Sequence, residues 1–123
     1  MKCGISFQIP ALPPLLLNTR MNRWELNRLK KEWYLRVLGA VQRQKPPVPC
    51  HKAEILIVRR SSVEPDGDNA ASGGKFLLDG LTRARILQDD KPSVIGTVTY
   101  RWEKAAKGKG SVYVSVEGEY HKS

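Results

Sequence analysis

The sequence predicts an α/β (α+β) chain: one small mixed β-sheet of about four strands with two main helices. Three observations predict it. Runs rich in branched apolar residues stand at Ile5–Ile9, Ala53–Arg60, Ser93–Glu103 and Ser111–Tyr120. A four-residue apolar repeat passes through Leu29, Trp33, Val37 and Val41. A second apolar cluster, Phe76, Leu77, Leu78 and Leu81, falls between the second and third runs. A length of 123 residues suits a single domain, expected over residues 1–123, with a modest core that dimerisation would enlarge. A hydrophobic content of 41% argues against disorder over most of the chain.

Each element has a local reason. The first strand ends at Pro10, and Pro13 and Pro14 make Ala11–Leu17 a loop. A long helix follows, roughly Asn22 to Arg43, with Asn18, Thr19 or Asn22 as its cap and Pro46, Pro47 and Pro49 barring its continuation. Trp24, Leu26 and Leu38 extend its apolar stripe, and Trp24, Trp33 and Trp102 read as core residues rather than base-stacking platforms. The second helix is expected to begin between Asn69 and Gly74 and to run to about Arg83. Val112, Val114 and Val116 alternate with Tyr113, Ser115 and Glu117, the period of a strand with one buried face. Lys104–Gly110 reads as a basic hairpin loop carrying Lys107 and Lys109. No internal repeat is present.

Charge is distributed unevenly. Lysine and arginine number 21 against 12 acidic residues, a formal net charge of +9, which favours a phosphate-rich partner through counterion release. The first helix and its flanks are the most basic segment: Arg20, Arg23, Arg28, Lys30, Lys31, Arg36, Arg43 and Lys45 stand against Glu25 and Glu32. A solvated outer face and a phosphate-contacting face are compatible readings of it. All five aspartates, however, fall between positions 66 and 90: Asp66, Asp68, Asp79, Asp89 and Asp90. Carboxylates crowded on a cationic chain call for a neutralising partner, and a divalent cation is the simplest. Together the two patterns suggest a metal-dependent enzyme acting on nucleic acid.

Asp66 and Asp68 flank Gly67. In extended backbone they would point to one side, about 6.6 Å apart, and converge on one hard cation such as Mg²⁺. Asp89-Asp90 follows the second helix and supplies a third ligand if the fold brings it back. Two other readings of the acidic segment fail. An EF-hand loop beginning at Asp66 would need glycine at 71 and glutamate at 77, where Ala71 and Leu77 stand. A Walker A loop ending at Lys75 would need glycine at Asn69 and a hydroxyl at Phe76. Lys75 and Asp79, four apart, have the spacing of a helix ion pair, and Lys75 at the helix opening is placed to stabilise charge on a phosphoryl group.

Cys3 and Cys50 lack metal-ligand or redox spacing and read as reduced structural thiols; His51 and His121 are too isolated in sequence to complete a zinc site. The N-terminus lacks a signal-peptide apolar region, and no run approaches the ~20 apolar residues of a membrane span. A cytoplasmic location with no membrane association is expected.

The run Asp66-Gly67-Asp68-Asn69, then Lys75-Phe76-Leu77-Leu78-Asp79-Gly80-Leu81, then Ile86-Leu87-Gln88-Asp89-Asp90 resembles the RusA family of Holliday junction resolvases, which includes many phage and prophage members. The opening Ile5–Ile9 strand with its following prolines is similar too, while the motif-level likeness covers about Pro65 to Asp90. The resemblance implies a RusA-like homodimer that binds four-way or branched DNA and nicks two strands symmetrically with Mg²⁺, for which Mn²⁺ substitutes. It implies Asp66, Asp68 and Asp90 as catalytic, metal-binding carboxylates, with Asp89 as the alternate third ligand, and Lys75 as the catalytic lysine. Arg59 and Arg60, ending a strand just before the acidic loop, are expected to hold phosphates, with Arg20, Lys107 and Lys109 as further DNA contacts. The sequence departs from the family pattern at one place: Ala70, Ala71, Ser72, Gly73 and Gly74 lengthen the path from Asn69 to Lys75. A non-catalytic or broader branched-DNA-binding protein is the alternative.

Overall fold

Alternation along the strands decides which face of the sheet is covered. In a computed structural model of the chain, which describes residues 1–14 and 21–121 and leaves aside the side chains of positions 67–70 and 72, strand β1 (Lys2–Ile9) buries Ile5, Phe7 and Ile9. Strand β2 (Lys52–Ser61) buries Ala53, Ile55 and Ile57 on the same face. Strand β3 (Ile95–Lys104) buries Ile95 and half-buries Val98, Tyr100 and Trp102. Strand β4 (Ser111–Glu119) buries Val112, Val114 and Val116. The strands form one sheet in the order β1-β4-β2-β3. Register then builds rows across the covered face: Ile5, Val116, Ile55 and Val98, and next to it Phe7, Val114, Ile57 and Tyr100.

Strand β4 enters the sheet antiparallel to both β1 and β2, while β3 runs parallel to β2 at the edge. The expected hairpin is therefore corrected. The segment after Lys104 does not join neighbouring strands; it carries the chain across the end of β2, where the Ala105 N–H donates to Ser61 O at 3.0 Å. Val112, Val114 and Val116 are fully buried in the central β4, whereas most of β3 at the edge is exposed.

Helix α1 (Arg23–Val41) starts where Asn22 Oδ1 accepts from the Glu25 N–H at 2.8 Å, a cap of about 1 kcal/mol. The other cap candidates, Asn18 and Thr19, and the predicted DNA contact Arg20 lie outside the described residues. Trp33, Val37 and Val41 are buried as the repeat predicts, and a 3-10 turn, Gln42–Gln44, ends the helix. Trp24 departs from its expected core role. It is 71% exposed, because it lies on the side of α1 opposite that stripe, with the Arg28 guanidinium 5.7 Å above its ring.

Helix α2 (Gly67–Arg83) begins earlier than expected. Gly74, the last position at which a start was expected, and Gly80 are close-approach points inside it. A Cβ at Gly74 would lie 2.5 Å from Tyr100 Cε1 on β3, and one at Gly80 would lie 3.0 Å from Val37 Cγ2 and 3.4 Å from the Trp33 carbonyl on α1. Glycine thus lets α2 sit tightly between the sheet and α1, and Phe76, Leu77 and Leu81 complete one continuous core. The molecule is an α+β domain with both helices in its core and a four-stranded mixed sheet. Among the described residues no helix is long and apolar enough to cross a membrane.

Candidate active site at the cavity between the helices

Helix α2 follows β2 and leads into β3, so it runs back along two parallel strands. Its N-terminus lies at the end of the sheet where β2 and β3 finish, since Ser61 pairs with Lys104. The exposed Lys107 and Lys109 of the β3–β4 connection occupy that same end. Asp66 is the N-cap position of α2, but its carboxylate accepts no capping hydrogen bond from the helix. It stays exposed beside the positive end of the helix dipole, a place that favours an anion.

The early start of α2 changes the relation between the first two aspartates. Position 68 lies in the first helical turn, not in extended chain, so the predicted side-by-side placement of Asp66 and Asp68 on a strand is corrected. It also accommodates the inserted residues. At 3.6 residues per turn, positions 68, 75 and 79 fall on one face of α2, and 68 and 75 are about 10 Å apart along the axis. The Asp68 side chain itself lies outside those described.

A cavity of about 480 Å³ opens where that face meets α1. Lys75 and Asp79 from α2 line it together with Asp90, and Lys30 from α1 reaches it from across the helix pair. Leu26, Phe76 and Leu78 form its apolar wall. Two residues chosen from the sequence for their chemistry, Lys75 and Asp90, therefore share one cavity. Asp66 does not line it, and among the described residues no three acidic, histidine or cysteine side chains come close enough to hold a metal ion. The donor set suits Mg²⁺ in kind, being carboxylate oxygen, but Asp66 and Asp90 alone are not a cage for it.

The chain's exit from α2 delivers Asp90. Arg85 adopts φ 67°, the left-handed position that turns a chain out of a helix. Ile86 and Leu87 then enter the core, and the segment pairs with Cys50: its N–H donates to Ile86 O at 2.8 Å, and the Gln88 N–H donates to Cys50 O at 2.9 Å. Beyond that seam the two adjacent aspartates take different roles. Asp89 Oδ1 accepts from the Asp90 N–H at 2.7 Å, and Lys91 Nζ lies 3.5 Å from its other oxygen. That backbone hydrogen bond, then a side-chain hydrogen bond with Asp90 and the nearby Lys91, hold the Asp89 carboxyl below its ordinary value. Asp89 is thus committed to its own turn, while Asp90 faces the cavity.

Asp79 pairs with Arg83 at 3.8 Å rather than with Lys75, and Arg83 is itself held 5.2 Å above the Tyr34 ring of α1. Asp79 Oδ2 is buried and accepts no hydrogen bond. The 3.8 Å separation is an ion-pair distance too long for one.

Arg59 and Arg60 separate, as neighbours on a strand must. Arg59 lies on the covered face and donates to Pro13 O at 2.9 Å; its burial pulls the guanidinium below its ordinary value. Arg60 lies on the open face, where it donates to Glu103 Oε1 at 2.9 Å and sits 6.0 Å from the Tyr113 ring centroid. The two side chains thus lie on opposite faces of the sheet.

Away from the cavity, Cys3 and Cys50 are free thiols. Burial, reinforced by the neighbouring Cys3, pushes the Cys50 thiol up to about 12. His51 and His121, distant in sequence, stack with ring centroids 3.9 Å apart. Sequence reasoning placed Lys30 on the basic face of the first helix and Leu26 on its apolar stripe, but assigned neither to this cavity. Their signal was their four-residue spacing, which puts both beside the buried stripe of α1 and so toward α2.

No family model matches this chain, and no curated protein matches it.

Proposed function

We propose that this protein is a metal-dependent endodeoxyribonuclease that resolves four-way DNA junctions by paired nicks, acting as a cytoplasmic homodimer. The observation that carries the reading is the meeting of Lys75 and Asp90 at one cavity, though they lie on separate segments of the chain. The motif resemblance to the RusA family over Pro65–Asp90 and the excess of cations support it. Asp66, Asp68 and Asp90 would be the donors for Mg²⁺, or Mn²⁺ in its place. A bound ion would supply Lewis acidity and an activated water. The Lys75 ammonium stabilises negative charge gathering on the phosphoryl oxygens. Lys107, Lys109, Arg20 and Arg60 contact the DNA backbone, so affinity falls steeply with salt. A two-fold dimer suits the two-fold symmetry of a junction.

The test is incubation of the purified chain with an end-labelled synthetic four-way junction and Mg²⁺. Symmetric nicks bearing 5′ phosphates are expected, and Asp90→Asn is expected to bind the junction but to cut only at background. Cutting by Asp90→Asn at the wild-type rate would remove that carboxylate from the chemistry. One observation favours a second reading, a non-catalytic branched-DNA binder: Asp66 stands apart from the cavity that holds Asp90. That reading expects junction binding with no nicking in Mg²⁺ or Mn²⁺.

A further inference from the structure

Phosphate and metal chemistry accounts for the lysines and carboxylates of the cavity but not for its apolar wall. An ion and a phosphate need polar partners only, yet Leu26, Phe76 and Leu78 form one side of a space of about 480 Å³. That volume lies within the range of about 300–1,000 Å³ typical of pockets that enclose a small organic molecule. The composition also fits one, with an apolar surface and a few converging polar groups. Lys30 and Lys75 supply cations from the two helices. Asp79 also lines the space, with its Oδ2 in an ion pair with Arg83 at 3.8 Å.

We propose that the cavity between α1 and α2 receives one unstacked nucleotide of the branched DNA, its base against Leu26, Phe76 and Leu78 and its phosphate on Lys30. Resting on the nuclease reading above, this names what the same site takes from its substrate. A branch point is where such a nucleotide is available, because bases there have lost part of their stacking and unpairing costs least. Every base offers an apolar face to the wall. The close approach of the helices at Gly80 fixes the width of the slot, since it brings the two walls together.

The experiment places 2-aminopurine at the branch point of a four-way junction and reads its fluorescence as wild-type protein is added to saturation without metal. Unstacking is expected to raise the fluorescence severalfold. Leu26→Trp, which fills the slot from the half-buried rim of α1, is expected to bind within a few-fold of wild type and to lose most of the rise. Lys30→Gln is expected to lower the slope of log affinity against log salt by about 0.9, the value for one lost phosphate contact. Lys31→Gln removes the same charge from the next position of α1, outside the cavity lining, and is expected to lower the slope by much less. The inference is overturned by saturated binding with no rise, by a full rise in a folded Leu26→Trp, or by equal slopes for the two lysine variants. If Leu26→Trp does not fold, the lysine pair decides. Those outcomes leave the nuclease reading standing, whereas failure to bind any branched DNA overturns both.

Discussion

The two helices solve opposite problems. Helix α1 is a conventional amphipathic helix: it buries Trp33, Val37 and Val41 on one side and turns charge and Trp24 outward on the other. Helix α2 packs against the sheet on one side and α1 on another, and glycines at 74 and 80 make room for both contacts. The expected catalytic residues stand at the N-cap of α2, on α2 itself and on the segment leaving it. The difference teaches that the site is built on the more constrained helix, with α1 providing its second wall through Lys30 and Leu26. Rigid placement is what a site needs if charge is to be stabilised at a fixed point.

The contrast is most sharply tested by removing one lysine from each helix. Lys75→Ala is expected to slow junction cutting about 100- to 1,000-fold, the cost of deleting one donor aimed at developing charge. Lys31→Ala on α1 is expected to leave the single-turnover cutting rate within about two-fold of wild type once the junction is saturated. Equal losses would mean that lysines act here only as bulk positive charge.

Packing gives the next largest effect. Gly80→Val would press new methyl groups on Val37 and the Trp33 backbone, and overpacking of this kind costs about 1–3 kcal/mol in urea unfolding.

The helices also leave the core differently, and titration reads that difference. Helix α1 exits through an exposed 3-10 turn, while α2 exits into the seam with Cys50. The folded thiol ionises at about 12 against an ordinary 9.0. The contribution from keeping it protonated is therefore complete below pH 9 and is lost as pH rises toward 12. Between about pH 8 and pH 10 wild-type stability is expected to fall by about 1 kcal/mol more than that of Cys50→Ala. Parallel pH profiles would show that the seam leaves the thiol free to ionise.

The smallest effect has the opposite sign. A Cβ added at Gly39 on α1 would meet nothing within 4 Å, so Gly39→Ala is expected to raise stability by about 0.4–1 kcal/mol through helix propensity alone. A loss at Gly39 comparable to that at Gly80 would erase the distinction between the helices.

Much of this architecture was legible in the chain. Branched runs located all four strands, and the Leu29–Val41 repeat and the Phe76–Leu81 cluster located the two helices, because one-sided burial imposes a period on the sequence. The start of α2 was not legible. Gly73 and Gly74 look like helix breakers until Tyr100, distant in sequence, is seen to need the space at Gly74. The insertion of β4 between β1 and β2 was also hidden, since a short basic connection reads as a hairpin and only long-range pairing decides otherwise. At the site, Lys75 and Asp90 were singled out from the sequence, and the structure places both on one cavity. The division of labour between Asp89 and Asp90 was not, because it depends on which carboxylate accepts a single backbone N–H. The split of Arg59 from Arg60 could have been read from strand parity alone.

The central claim is that Asp66, Asp68 and Asp90 serve one metal ion, and paramagnetic relaxation by Mn²⁺ tests it most directly. Substoichiometric Mn²⁺ added to isotope-labelled protein with an uncleavable junction is predicted to broaden the amide signals around positions 66, 68 and 90 together, with Asp90→Asn weakening the effect at all three. Broadening confined to positions 66 and 68, with the Asp90 signal sharp, would contradict the account.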